Sequence, residues 1–152
     1  MRCTVIQSLS VQIDNDQSIE EMYRNAAEAG ALRMDTSESF TEKYWYMGAD
    51  GVQQLELCVV HFDDGGELIT EEGVRNALRE MSLTPARASH LFALLTSNPN
   101  QASDVVMFAL GLDEDNNGVL VYNGKFGAVA IFPSNGKSYG DDHTFLAYRE
   151  VA

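Results

Sequence analysis

Leu55-Glu56-Leu57-Cys58-Val59-Val60-His61-Phe62 is the stretch on which the fold turns. Leu55, Leu57 and Val59 alternate with Cys58, Val60 and Phe62, so both faces of one extended segment are apolar, as in a strand covered on each side. An acidic glycine turn follows, Asp63-Asp64-Gly65-Gly66, and then Thr70, which is placed to cap a helix whose first turn carries Glu71 and Glu72. Val74, Ala77, Leu78 and Met81 recur at helical spacing and predict its buried stripe. Thr84-Pro85 reads as a second cap with proline at the first helical position, opening a helix that buries Ala88, Leu91, Phe92 and Leu95 and ends near Asn98-Pro99. Two short helices joined this closely are expected on one face of the sheet.

Upstream, Cys3, Val5, Leu9, Val11 and Ile13 alternate with Thr4, Ser8, Ser10 and Gln12, and only Ile6-Gln7 interrupts the period of two. This predicts a half-buried strand with the odd-numbered apolar residues on one face. Asp14-Asn15-Asp16-Gln17 turns the chain, and Ser18-Ile19-Glu20-Glu21 has the spacing of a capping box. The helix it opens carries Ile19, Met22, Tyr23, Ala26 and Ala29 on one face, with Gly30 as a terminator. Lys43-Tyr44-Trp45-Tyr46-Met47 is expected to pair with the 55–62 strand through a turn at Gly48-Ala49-Asp50-Gly51.

Downstream, Val105-Val106-Met107-Phe108-Ala109-Leu110-Gly111-Leu112 is the most apolar run and reads as a central strand. Val119-Leu120-Val121-Tyr122, the Asn123-Gly124 turn and residues 126–132 form a hairpin signal, and Thr144 to Arg149 alternates as a last strand. The pattern as a whole predicts one α+β domain spanning 1–152, a mainly antiparallel sheet with about three helices packed against it.

At 152 residues with 45% hydrophobic and 22% charged, the chain has the length and composition of one self-sufficient core. Its 23 Asp and Glu against 10 Lys and Arg give a net charge of -13. Such a surface repels phosphate backbones and anionic membranes, which argues against direct nucleic-acid binding. It favours a protein partner with a basic surface or, as an alternative, imitation of nucleic acid toward a DNA- or RNA-handling enzyme. No apolar run reaches the length of a membrane span or of a signal-peptide core, so a cytoplasmic location is expected. Two cysteines, Cys3 and Cys58, form neither a disulfide framework nor a Cys-x-x-Cys motif.

The metal candidate combines His61 and Asp63 at the exit of the organising strand with Asp142 and His143 at the entrance of the last one. Imidazole with carboxylate suits Zn, Mn or Fe, and the two groups meet if the strands are neighbours. That is the basis of a second alternative, a divalent-metal enzyme; turn chemistry at both acidic pairs is the plainer account. Asp113-Glu114-Asp115-Asn116-Asn117-Gly118 matches the first half of a calcium-binding EF-hand loop, yet its twelfth position is Gly124, so a hairpin turn is expected there. Gly136-Lys137-Ser138 lacks the leading glycine of a phosphate loop, since Ile131 stands in its place. Cys58 and His61 are three apart in a strand and point to opposite faces, and Ser89 and His90 are adjacent on a helix, so neither pair is a nucleophile with its base. Tyr44, Trp45 and Tyr46 are candidate interface anchors. No complete catalytic set is present, and the leading expectation is a non-enzymatic interaction domain with no resident cofactor.

The motifs Thr4-Val5-Ile6-Gln7, Ser18-Ile19-Glu20-Glu21 and Leu57-Cys58-Val59-Val60-His61-Phe62 continue into 77–86, Leu91-Phe92-Ala93-Leu94 and Val106-Met107-Phe108-Ala109-Leu110-Gly111. Through them the chain resembles a family of small uncharacterised bacterial proteins common in candidate-phyla (Parcubacteria-like) genomes. The resemblance implies a shared fold and lends no activity.

Overall fold

The structure, a computed structural model, describes residues 2–28, 51–63, 69–98, 108–112, 118–123, 129–133, 138–139 and 143–151. The elements run β1 (Arg2–Asp14), α1 (Ile19–Glu28), β2 (Val52–Asp63), β3 (Ile69–Thr70), α2 (Glu71–Glu80), β4 (Thr84–Pro85) and α3 (Ala88–Ser97). They continue with β5 (Phe108–Leu112), β6 (Gly118–Asn123), β7 (Val129–Pro133), β8 (Ser138–Tyr139) and β9 (His143–Glu150). The main sheet has the order β1-β2-β9-β5-β6-β7, with β4 also hydrogen-bonded to β9, and β3 and β8 form a separate pair. Among the described residues every pairing is antiparallel except β5 with β9 and there are three helices, so the expected α+β architecture with a mainly antiparallel sheet is the observed one.

β2 lies between β1 and β9 and is buried on both faces, as its double apolar pattern requires. Cys58, Val60 and Phe62 meet Phe145 and Ala147 of β9 beneath Val74 and Leu78 of α2 and Leu83 just beyond it. Phe62 and Phe145 pack edge to face, centroids 5.4 Å apart and planes at 86°. Leu55, Leu57 and Val59 point the other way, in register with Val11, Leu9 and Gln7 of β1. That second face carries α1 and α3, whose Met22, Ala26, Leu91, Phe92, Leu94 and Leu95 are all buried.

Three details depart from the sequence expectation. Ile6 is the extra residue of a β-bulge, since Val5 pairs with Val60 and Gln7 with Val59. A bulge shifts the pleat by one residue, so Cys3 and Val5 share the Cys58 face whereas Leu9, Val11 and Ile13 share the Leu57 face. The odd-numbered apolar residues therefore do not lie on one face. Second, Thr84–Pro85 is a strand in place of a cap: Thr84 pairs with Tyr148, Pro85 with Ala147, and the Ala86 N–H donates to the Leu146 carbonyl at 3.0 Å. Proline is tolerated because β4 contributes only two residues and the next amide supplies the donor. Third, β4 carries the chain across the plane of the sheet, so α2 and α3 lie on opposite faces and not on one. β1 and β9 occupy the two edges of β2, which leaves no place on it for the expected 43–47 hairpin partner; residues 43–47 themselves lie outside the described residues.

The predicted Ser18 and Thr70 caps form. Ser18 Oγ accepts from the Glu21 N–H at 3.1 Å, and Thr70 Oγ1 accepts from the Gly73 N–H at 3.0 Å. Asn15, almost fully buried, donates through Nδ2 to the Gly51 carbonyl at 3.1 Å and to Gln53 Oε1 at 2.8 Å, and Asp16 Oδ1 accepts from the Gly51 N–H at 3.1 Å. Gly51 has φ +74°, a conformation that glycine adopts without strain, and it closes the β1 turn onto the start of β2.

α2 ends in a Schellman arrangement: the Ser82 N–H donates to the Arg79 carbonyl at 3.0 Å and the Leu83 N–H to the Leu78 carbonyl at 2.8 Å. Ser82 has φ 60°, the left-handed region usually given to glycine. Ser82→Gly is expected to raise unfolding stability by about 1 kcal/mol through relief of this strain. Matched urea titrations of the two proteins measure it, and an unchanged or lowered midpoint contradicts it.

Candidate functional site

β2 and β9 are antiparallel neighbours, so the exit of one strand does meet the entrance of the other. The register pairs His61 with Thr144 and Phe62 with His143. His61 and Asp63 stand at alternating positions of one pleat phase, and His143 stands at the opposite phase, in line with Phe62. Asp142 lies outside the described residues. Among the described residues no group of three or more His, Cys, Asp or Glu side chains is arranged to hold a metal ion.

Cys58 and His61 are separated as strand geometry demands: Cys58 is buried under α2, with its Sγ 3.8 Å from Ser8 Oγ, whereas His61 belongs to the opposite face. Tyr44, Trp45 and Tyr46 lie outside the described residues, as do the acidic turn at 113–117 and Gly65-Gly66. β5 and β6 pair from Leu112 with Gly118, as a hairpin requires, and β6 pairs with β7 from Asn123 with Val129.

A role missed in the sequence belongs to His90. It is 2% exposed, and its Nδ1 accepts from the Arg87 N–H at 2.9 Å, closing the first turn of α3. Glutamate or glutamine usually does this three residues into a helix, and the imidazole substitutes for them. Its ring lies 4.3 Å from that of Tyr148. Burial, reinforced by the Arg87 charge, pushes the His90 pKa down to about 3. An accepting Nδ1 also requires the neutral imidazole with its proton on Nε2. His90 is thus a structural acceptor. Its neighbour Ser89 has a buried Oγ with no hydrogen-bond partner among the described residues. The signal available was the spacing from Arg87 to His90, which becomes legible only once the helix start is known.

On the α2 face, Cys3, Gly73, Asn76, Ala77, Glu80 and Met81 line an open groove beside the buried cluster. At the sheet's other end, Arg149 grips Glu56 through two hydrogen bonds, Nε to Oε2 at 2.9 Å and Nη2 to Oε1 at 2.8 Å. The Arg149 hydrogen bond draws the Glu56 carboxyl below its ordinary pKa. This is a cross-strand pair on the β2–β9 register and not an acid-base dyad.

No protein-family profile, curated protein or solved structure matches the chain. Among the described residues no helix is long and apolar enough to cross a membrane.

Proposed function

We propose that the chain is a non-enzymatic interaction domain that docks a protein partner through acidic surface. The observation that supports this reading is the outer face of α1, where Glu20, Glu21 and Glu28 are exposed with Arg24 as their one exposed basic neighbour on that helix. Among the described residues two buried polar groups serve the fold: Asn15 ties the β1 turn and His90 caps α3. A net negative charge on a rigid helix steers a basic partner and fixes its orientation, and it does so most strongly at low salt.

Immobilised wild-type protein is expected to capture basic proteins from a lysate of its source cells at low ionic strength. It should release them as salt rises, and a Glu20→Gln, Glu21→Gln, Glu28→Gln variant should capture them several-fold less. Recovery of nothing at low salt, or equal capture by the triple variant, overturns the proposal.

A further inference from the structure

We propose that β1 is a self-association edge, pairing antiparallel with β1 of a second copy of this chain. β1 ends the main sheet, and among the described residues no strand lies beyond it. Residues 3–13 contain no Asp, Glu, Lys or Arg, although the chain carries 33 such residues in 152 (23 acidic and 10 basic). Edge strands that must stay single are ordinarily guarded by charge, proline or a bulge. β1 has only the bulge at Ile6, close to its start, which leaves Gln7 to Ile13 as a regular segment in continuous register with β2.

Within that segment, Ser8 to Gln12 is self-complementary. Ser8, Ser10 and Gln12 fall on one face, and Leu9, Val11 and Ile13 on the other. A two-fold axis at Ser10 sets Leu9 against Val11 and Ser8 against Gln12 of the second copy, and Ser10 against itself. Polar residues then meet polar ones and apolar residues meet apolar ones from Ser8 to Gln12, and Gln7 faces Ile13 at either end. Val11 and Ile13 are already buried within the protomer, whereas Leu9 is half-buried and gains cover from the pairing. The ends agree in charge: an antiparallel pair brings the exposed Arg2 end of each strand toward the acidic turn at Asp14 and Asp16 of the other. Because the same patch serves both copies, the contact closes on itself and yields a dimer without extending into a fibre.

Sedimentation velocity across a concentration series tests this. Wild-type protein should reach twice the chain mass, and Ser10→Lys, which opposes two ammonium groups at the axis, should remain at the chain mass. Ser10→Thr should behave as wild type. Amide hydrogen exchange supplies a readout that survives any loss of fold in the lysine variant: in wild-type protein, protection of the outward amides of 7–13 should rise with concentration. A wild-type chain that stays monomeric throughout, a Ser10→Lys dimer equal to wild type, assemblies beyond two copies, or exchange in 7–13 that ignores concentration each overturns the proposal.

Discussion

Phe62→Ala is expected to lower the unfolding free energy by about 3 to 5 kcal/mol, a large share of the about 5 to 15 kcal/mol that holds an ordinary domain. Phe62 has no exposed surface, and its ring sits edge-on to Phe145 beneath α2. Truncation removes the transfer energy of a whole ring and also leaves a void that a strand pinned on both edges cannot close by moving. Urea unfolding monitored by circular dichroism measures the loss as a drop in midpoint at unchanged slope. A loss under 1 kcal/mol would show that the site collapses freely and that the α2 face is not close-packed.

The second large effect is on pH dependence. His90 is held neutral in the folded chain, with its pKa lowered from 6.5 to about 3 by burial and by the Arg87 charge. Between those two values the unfolded chain binds a proton that the folded chain refuses. The stability contributed by neutral His90 is therefore fully present above pH 6.5 and drains away as pH falls toward 3, at up to about 1.4 kcal/mol per unit. Protonation also turns Nδ1 from acceptor to donor and breaks its bond to the Arg87 N–H. His90→Gln keeps an acceptor for that amide but does not titrate, so it isolates the effect. The stability gap between variant and wild type should move in the variant's favour by more than 2 kcal/mol from pH 6.5 to pH 4. Profiles that run parallel across this window would remove His90 as the titrating group.

Where the sequence could be read and where it could not follows from the range of the forces involved. β2 was legible because apolar residues at both parities demand cover on both faces whatever supplies it. Ser18 and Thr70 were legible because a cap is completed within three residues. The break at Ile6-Gln7 was visible, but its meaning was not: whether an irregularity is absorbed or reverses the strand's faces depends on β2, some fifty residues away. Thr84-Pro85 misled for a similar reason. Locally it has the chemistry of a helix start, and only the Leu146 carbonyl, waiting for the Ala86 amide, makes it a strand that crosses the sheet. For the candidate site, the two histidine motifs can meet only if β2 and β9 are neighbours, which they are, whereas the phase offset between His61 and His143 is a matter of register, which the motifs do not encode.

The place of β9 bears on how the chain is made. β9 inserts between β2 and β5, supplying Phe145 and Ala147 to the α2 face and Leu146 to the opposite phase of the pleat, while also receiving β4. All of those partners leave the ribosome before it does. Until residues 143–150 emerge, β2 carries an unpaired edge and Phe62 lacks the ring it packs against, so the nascent protein must wait with apolar surface showing. The strand that joins both halves of the core is thus also the one whose late arrival sets the interval during which the newborn chain shows that surface.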